Sequence, residues 1–321
     1  MKMNLSKMMF IMTMTMSIIM TMSSNSMMFS WMSMEINLIS FLPLLKKSNK
    51  MNEQSMKYLI IQSMSSSIMM TSMIINAIIN CPINESILMM MSILMKMGMI
   101  PFHLWVPSIM QMMSWEMCMV MMTMQKMIPT IIATQMTSIK LMMMSMIMSM
   151  IMAPISGMKQ TSLKKLMAYS SISNSPVMIF SLMISKQQFI FLLIMYTTIN
   201  LTMMNTFKKN NINFLNQINN QTNLTKMSLM ISSLSMSGMP PTMGFLMKWM
   251  IMKSTICMTP MIPLIMLTSS ILSTFMYLNM MIPTMTKSNK LKMKKLMKKE
   301  SIIPIILNFM GIPMMMIFKL N

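Results

Sequence analysis

The sequence contains no aspartate and no arginine, and in 321 residues it has one histidine, three cysteines and five glycines. Each shortage closes off a class of chemistry. With His103 alone and no aspartate there is little material for a metal site or an iron–sulfur cluster. Cys81, Cys118 and Cys257 show neither metal nor disulfide spacing. Five glycines cannot build a phosphate-cradling loop together with the rest of a nucleotide fold. No redox cofactor and no metal are therefore expected on this chain. Charge is scarce as well: charged residues are 10% of the chain, against roughly 25% in a soluble domain. The five acids are Glu35, Glu53, Glu85, Glu116 and Glu300.

What is abundant is apolar surface. Hydrophobic residues are 55% of the chain, with 70 methionines and a mean hydropathy of +0.60. Methionine is apolar and flexible and substitutes for Leu and Ile in packing. Its excess points to strong base bias and a code that reads an extra codon as Met, as in many mitochondria. All 26 basic residues are lysine, for a net charge of +21. Nucleic-acid binding is excluded, because the lysines lie between hydrophobic runs and no basic, aromatic-interleaved domain is present. The first apolar run begins almost at Met1 and lacks the Arg- and Ser-rich flank of a transit peptide. Synthesis inside an organelle fits that pattern.

A hydrocarbon core about 30 Å thick needs roughly 20 apolar residues per helix. Eleven spans are predicted, near 3–22, 26–45, 57–80, 87–106, 116–137, 141–157, 164–185, 189–206, 227–251, 258–282 and 301–319. The fold class is thus an all-α integral membrane protein. With eleven spans, 19 lysines fall on the side shared with the N-terminus, 4 on the other and 3 inside spans. The positive-inside rule then puts the N-terminus on the cytoplasm-equivalent side, the matrix in a mitochondrion. The lysine-rich run 287–299 reads as a solvated loop at an anionic lipid surface.

Four charges lie within spans: Glu35, Lys96, Lys126 and Lys248. Each costs at least about 2.5–3.5 kcal/mol at the bilayer centre. Snorkelling of the lysines to the surface is the alternative to a hydrated interior. Two of the helices also carry breakers. Span 4 has Gly98 and Pro101 close to Lys96, and span 9 has Gly238, Pro240 and Pro241 ahead of Lys248. Freed backbone groups at such breaks are tolerated only against protein or water. Spans 4 and 9 are five apart, and a five-helix unit of odd parity repeats upside down. A pair of broken helices in two inverted halves is the sequence pointer to a transport site. The expected domains are a first inverted repeat at 1–137, a second at 138–282, and a lysine-rich loop with a final helix at 283–321.

Several ordered segments carry a family resemblance. They are Glu35-Ile36-Asn37-Leu38-Ile39-Ser40-Phe41-Leu42-Pro43-Leu44, Lys96 through Pro107 (KMGMIPFHLWVP), Gln125-Lys126-Met127-Ile128-Pro129, Lys165 through Ile172 (KLMAYSSI), and Gly238 through Trp249 (GMPPTMGFLMKW). In these the chain resembles the subunit-2 family of mitochondrial NADH:ubiquinone oxidoreductase (respiratory complex I), in an arthropod-like version. The resemblance reaches from the second span to the ninth. It implies an antiporter-like proton-pumping subunit of the membrane arm, in the mitochondrial inner membrane, with neighbouring pumping subunits and phospholipids as partners. NADH, FMN, iron–sulfur clusters and ubiquinone would be bound by other subunits.

Carried over by motif, Glu35 resembles the glutamate that modulates a partner lysine. Lys96 resembles the lysine of the first broken helix, Lys126 the central relay lysine and Lys248 the lysine of the second broken helix. Where the family continues Tyr-Ser-Ser-Ile with a histidine, this chain has Asn174, which cannot titrate. Tyr169, Ser170, Ser171 or water are the candidates to take its place in a polar path. His103 reads equally as a structural hydrogen-bonding group and as a proton carrier. The mechanism implied is a Glu35–Lys96–Lys126–Lys248 relay driven by quinone reduction elsewhere. Two alternatives stand beside it: a free-standing cation/proton antiporter, disfavoured by the scarcity of cation ligands, and a structural membrane-arm subunit, disfavoured by the cost of four intramembrane charges.

Overall fold

A computed structural model of the chain describes residues 5–45, 49–79, 87–135, 139–256, 260–286 and 302–309. The predicted lysine-rich loop at 287–299 and most of the final span lie outside those residues. Among the described residues there are fourteen α-helices and no strand beyond a single bridge between Ser162 and Phe214.

Two compact units divide the chain between Ser149 and Met150. The first is built from α1 (Leu5–Ser23), α2 (Met27–Leu45), α3 (Asn49–Ile79), α4 (Ile87–Met97), α5 (Trp105–Met112), α6 (Trp115–Met122) and α7 (Met124–Gln135). Helix α8 (Ile139–Met158) contains the boundary. The second unit continues with α9 (Leu163–Ile184), α10 (Lys186–Lys209), a 3-10 turn (Leu215–Asn220), α11 (Asn223–Ser237), α12 (Met243–Ile256), α13 (Met261–Thr286) and α14 (Ile302–Phe309). Each predicted span that lies in the described residues falls on one helix or on a pair of helices in line along the sequence.

Among the described residues, six helical stretches are long and apolar enough to cross a membrane: Leu5–Ser23, Met27–Leu45, Glu53–Ile78, Trp115–Gln135, Lys186–Lys209 and Met261–Ile282. The protein is therefore an all-helical, multi-pass membrane protein. Its polarity is arranged for lipid. On α2 the residues Ser30, Ser33, Asn37 and Ser40 are buried, whereas Met32, Ile36 and Ile39 are exposed. Spacings of three and four put each set on one face, so the polar stripe faces inward. The hydroxyls add little cost there, because each bonds a carbonyl of its own helix: Ser33 Oγ donates to Ser30 O at 2.6 Å and Ser40 Oγ to Asn37 O at 2.8 Å.

In each unit a helix that carries a buried lysine packs against four neighbours. In the first, α7 packs against α1, α2, α4 and α6. In the second, α12 packs against α9, α10, α11 and α13. Helix α7 carries Lys126 and α12 carries Lys248.

Candidate functional site

The helical path is interrupted after Met97 and again after Ser237, and both breaks are closed by the same motif. Gly98 and Gly238 adopt left-handed backbone, with φ of 66° and 84°. At the first, Met99 N–H donates to Leu94 O (3.0 Å) and Gly98 N–H to Met95 O (3.3 Å). At the second, Met239 N–H donates to Leu234 O (3.2 Å) and Gly238 N–H to Ser235 O (3.3 Å). Each pair is a Schellman closure, in which glycine supplies the left-handed residue beyond the helix end. The remaining carbonyls of those ends are left available for side chains.

At the first break Trp105 Nε1 also donates to Met95 O, at 3.1 Å, sharing that carbonyl with Gly98 N–H. Pro101 lies in the segment between α4 and α5. Lys96 stands in the last turn of α4, 8% exposed. A cation there sits favourably at the negative end of the helix dipole. Glu35 on α2 is near enough for its charge to act on Lys96 without forming a contact ion pair. The glutamate is half-buried, and its buried Oε1 accepts no hydrogen bond from any described residue. His103 lies past the break, half-buried, with Nδ1 3.3 Å from Pro101 O. That contact is with backbone of its own segment.

Helix α2 is fixed to α7 by a reciprocal amide pair. Asn37 Nδ2 donates to Gln125 Oε1 (3.3 Å), and Gln125 Nε2 donates to Asn37 Oδ1 (3.2 Å). Tyr58 of α3 donates its hydroxyl to the same Gln125 oxygen at 3.0 Å. Tyr58 in turn packs edge-on to Phe41, ring centroids 5.3 Å apart. The clamp thus ties the helix of Glu35 to the residue beside Lys126.

Lys126 is 6% exposed in the first turn of α7. A third interruption precedes it. Thr123 separates α6 from α7 with φ −110° and ψ −78°, and its Oγ1 donates to Met119 O at 2.8 Å. No glycine or proline marks that position, so the interruption was not expected from the sequence.

Lys248 lies two turns beyond Pro241 along the chain, yet its side chain folds back to the break. Its Nζ donates to Ser237 O at 2.7 Å and to Ser273 Oγ at 3.4 Å. Ser273 Oγ lies 3.2 Å from the same Ser237 carbonyl. The close approach depends on two glycines. A Cβ on Gly238 would stand 3.0 Å from Lys248 Cδ, and one on Gly244 would stand inside the Ser235 carbonyl. Pro240 and Pro241 occupy the turn that joins α11 to α12.

Beside Lys248 is a cavity of about 20 Å³, lined among others by Asn174, Tyr196 and Gly244. Asn174 therefore lines the same cavity as the lysine. Tyr169, Ser170 and Ser171 are buried in α9; Ser170 Oγ and Ser171 Oγ each donate at 2.7 Å to the carbonyl three residues earlier. Lys226, expected in a loop, is instead 7% exposed in the first turn of α11. The helix begins at Asn223, earlier than the apolar run suggested, and takes the lysine inside with it.

The NADH:quinone oxidoreductase/Mrp antiporter transmembrane family matches residues 24–275. The chain is similar to NADH-ubiquinone oxidoreductase chain 2 of Locusta migratoria, 36% identical over 86% of this chain and 84% of the relative. Its fold is similar to a chain of respiratory complex I from Thermus thermophilus, with a TM-score of 0.76 and 16% identity over 88% of this chain and 71% of the other. A chain of the Mrp complex from Dietzia sp. gives 0.69 and 12% over 86% and 59%. Because the family match spans most of the chain and the insect likeness extends over nearly its whole length, the chain belongs to the NADH-ubiquinone oxidoreductase chain 2 family.

Proposed function

We propose that the protein is a proton-translocating subunit of the membrane arm of a mitochondrial NADH:ubiquinone oxidoreductase. Glu35, Lys96, Lys126 and Lys248 would form its relay. The observation that carries the reading is the placement of the three lysines. Each is buried and each is held at a helix interruption: Lys96 at Gly98, Lys126 at Thr123, Lys248 at Gly238. A buried cation is costly, and a scaffold has no use for three of them at its breaks.

In this reading eleven spans cross the inner membrane as two inverted five-helix repeats and a final helix, with the N-terminus in the matrix. Shared Schellman closures at Gly98 and Gly238 support the repeat. Neighbouring antiporter-like subunits and phospholipids cover the exposed methionine-rich faces, and redox cofactors are held by other subunits. Glu35 governs whether Lys96 keeps its proton. Because the two do not touch, approach of α2 strengthens their attraction and retreat weakens it. Quinone reduction elsewhere would drive that motion.

The test is Lys96→Met and Lys248→Met in the assembled complex, reading protons moved per electron pair from NADH. Both variants are expected to lower the ratio while NADH oxidation in uncoupled membranes continues. An unchanged ratio in both refutes the relay. Migration of the chain as a small species without NADH dehydrogenase activity would refute membership of the complex.

A further inference from the structure

The second unit carries a group of buried polar atoms that the relay does not use. Tyr196 Oη, both side-chain polar atoms of Asn200, and Tyr277 Oη have no hydrogen-bond partner among the described residues. All three side chains are at most 2% exposed. Apart from the Glu35 carboxylate oxygen, the other buried oxygens without partners, on Gln54, Ser114, Ser162, Gln188 and Asn219, belong to residues at or near the ends of their elements. Tyr196, Asn200 and Tyr277 are instead about 13 Å or more from either end of α10 and α13, at 1.5 Å per residue.

The three are also neighbours. Asn200 lies one turn from Tyr196 on the same face of α10, close to its hydroxyl though outside hydrogen-bond geometry. The Tyr277 hydroxyl lies beside Ser170 and within electrostatic reach of Tyr196. Tyr196 also lines the cavity of about 20 Å³ that Lys248 and Asn174 share, which has room for about one water. Lys248 uses two of an ammonium's three donors, on Ser237 and Ser273.

Buried hydroxyls nearby are satisfied by their own helix; Ser173 and Ser175 both donate to the carbonyl three residues earlier. A tyrosine hydroxyl at the end of its ring cannot do the same, and Asn200 has both a donor and an acceptor to fill. Buried polar atoms in this density are ordinarily bridged by ordered water.

Resting on the relay reading, we infer that Tyr196, Asn200 and Tyr277 hold a chain of ordered waters that begins in the cavity of Lys248 and Asn174 and runs toward Ser170. This chain is the proton conduit of the second unit. The Lys248 ammonium gives a proton to the first water, and each water passes one on as it accepts one. The Tyr196 hydroxyl accepts on its oxygen and releases its own hydrogen. Asn200 exchanges no proton; it fixes a water by donating through its amide nitrogen and accepting through its oxygen. Asn174 can hold a water in the same way, which makes a titrating side chain unnecessary at that position.

Two measurements on the intact complex test the inference. A map in which ordered waters are visible should show water within about 3.2 Å of Tyr196 Oη and of the Asn200 amide. Protein atoms filling those positions overturn the conduit. Asn200→Leu should lower the proton-to-electron ratio as far as Lys248→Met does, and Asn200→Ser, which keeps a water-binding hydroxyl, should restore at least half of the loss. If Lys248→Met lowers the ratio while Asn200→Leu does not, the conduit is wrong and the relay stands. If Lys248→Met leaves the ratio unchanged, relay and conduit fall together. Asn200→Leu that prevents assembly, with Asn200→Ser assembling at full ratio and retaining the waters, supports the conduit; with Asn200→Ser assembling but dry, it overturns it.

Discussion

Gly238→Ala isolates the contact on which the second break depends. Two costs add. Left-handed backbone at φ 84° costs a non-glycine residue roughly 1–2 kcal/mol. The new Cβ also stands 3.0 Å from Lys248 Cδ, 3.2 Å from Cε and 3.3 Å from Nζ. Ordinary apolar contact needs about 3.5–4.0 Å, so the lysine chain must withdraw by about 0.5 Å or more. Its Nζ sits 2.7 Å from Ser237 O, and the same withdrawal takes it past the 2.7–2.9 Å range of charge-assisted bonds and weakens a contact worth roughly 1.5–3 kcal/mol. The total is about 2–5 kcal/mol, concentrated at Lys248. Thermal inactivation of the complex should occur at lower temperature, and the proton-to-electron ratio should fall. Gly157→Ala is the control. Its Cβ would meet the Sδ of buried Met276 and stand 3.2 Å from the Tyr169 Cβ, so it too crowds a packed site, but its backbone is helical and it touches no part of Lys248. If Gly238→Ala lowers the proton-to-electron ratio no more than Gly157→Ala does, the account of the break is refuted.

Two further outcomes follow from the buried polar groups. Gln125→Leu removes the partner of Asn37 and Tyr58 together, stranding buried polar groups at about 1–3 kcal/mol each. Inactivation should come at lower temperature, and Asn37→Leu added to it should recover part of the loss, which a double-mutant cycle would measure. Lys226→Met replaces a buried cation that bonds no described residue with an apolar chain of similar length. Stability should be unchanged or higher, with pumping retained; a lost proton ratio would place Lys226 in the relay.

Much of this was legible in the sequence because lipid imposes simple rules. Runs of about 20 apolar residues can only be helices, and Gly98 and Gly238 marked the two breaks because only glycine closes them without strain. What the sequence did not reveal depends on contact between distant positions. Asn37, Tyr58 and Gln125 are up to 88 residues apart, and no local pattern joins them. Thr123 interrupts its helix without a breaker residue, so the third interruption carries no signal of its own. Helical rise alone puts Lys248 about 10 Å beyond Pro241; the side chain's length, running backward along the helix, cancels that separation.

The lysines' partners explain why a chain so short of acids can hold buried cations at all. A carboxylate partner would itself titrate, and the pair could settle into a neutral state that moves nothing. A backbone carbonyl cannot. At the second break the Schellman closure occupies the carbonyls of Leu234 and Ser235 and leaves that of Ser237 to Lys248. The helix end thereby presents a fixed negative dipole to the Lys248 ammonium. At the first break Trp105 Nε1 joins Gly98 N–H on the Met95 carbonyl, and the charge that acts on Lys96 is that of Glu35 on α2. The two breaks share one backbone motif and differ in this respect: one lysine is held by the fold, and the other answers to a charge on another helix. A relay with direction needs that difference, since two lysines held alike would exchange a proton with no preferred sense.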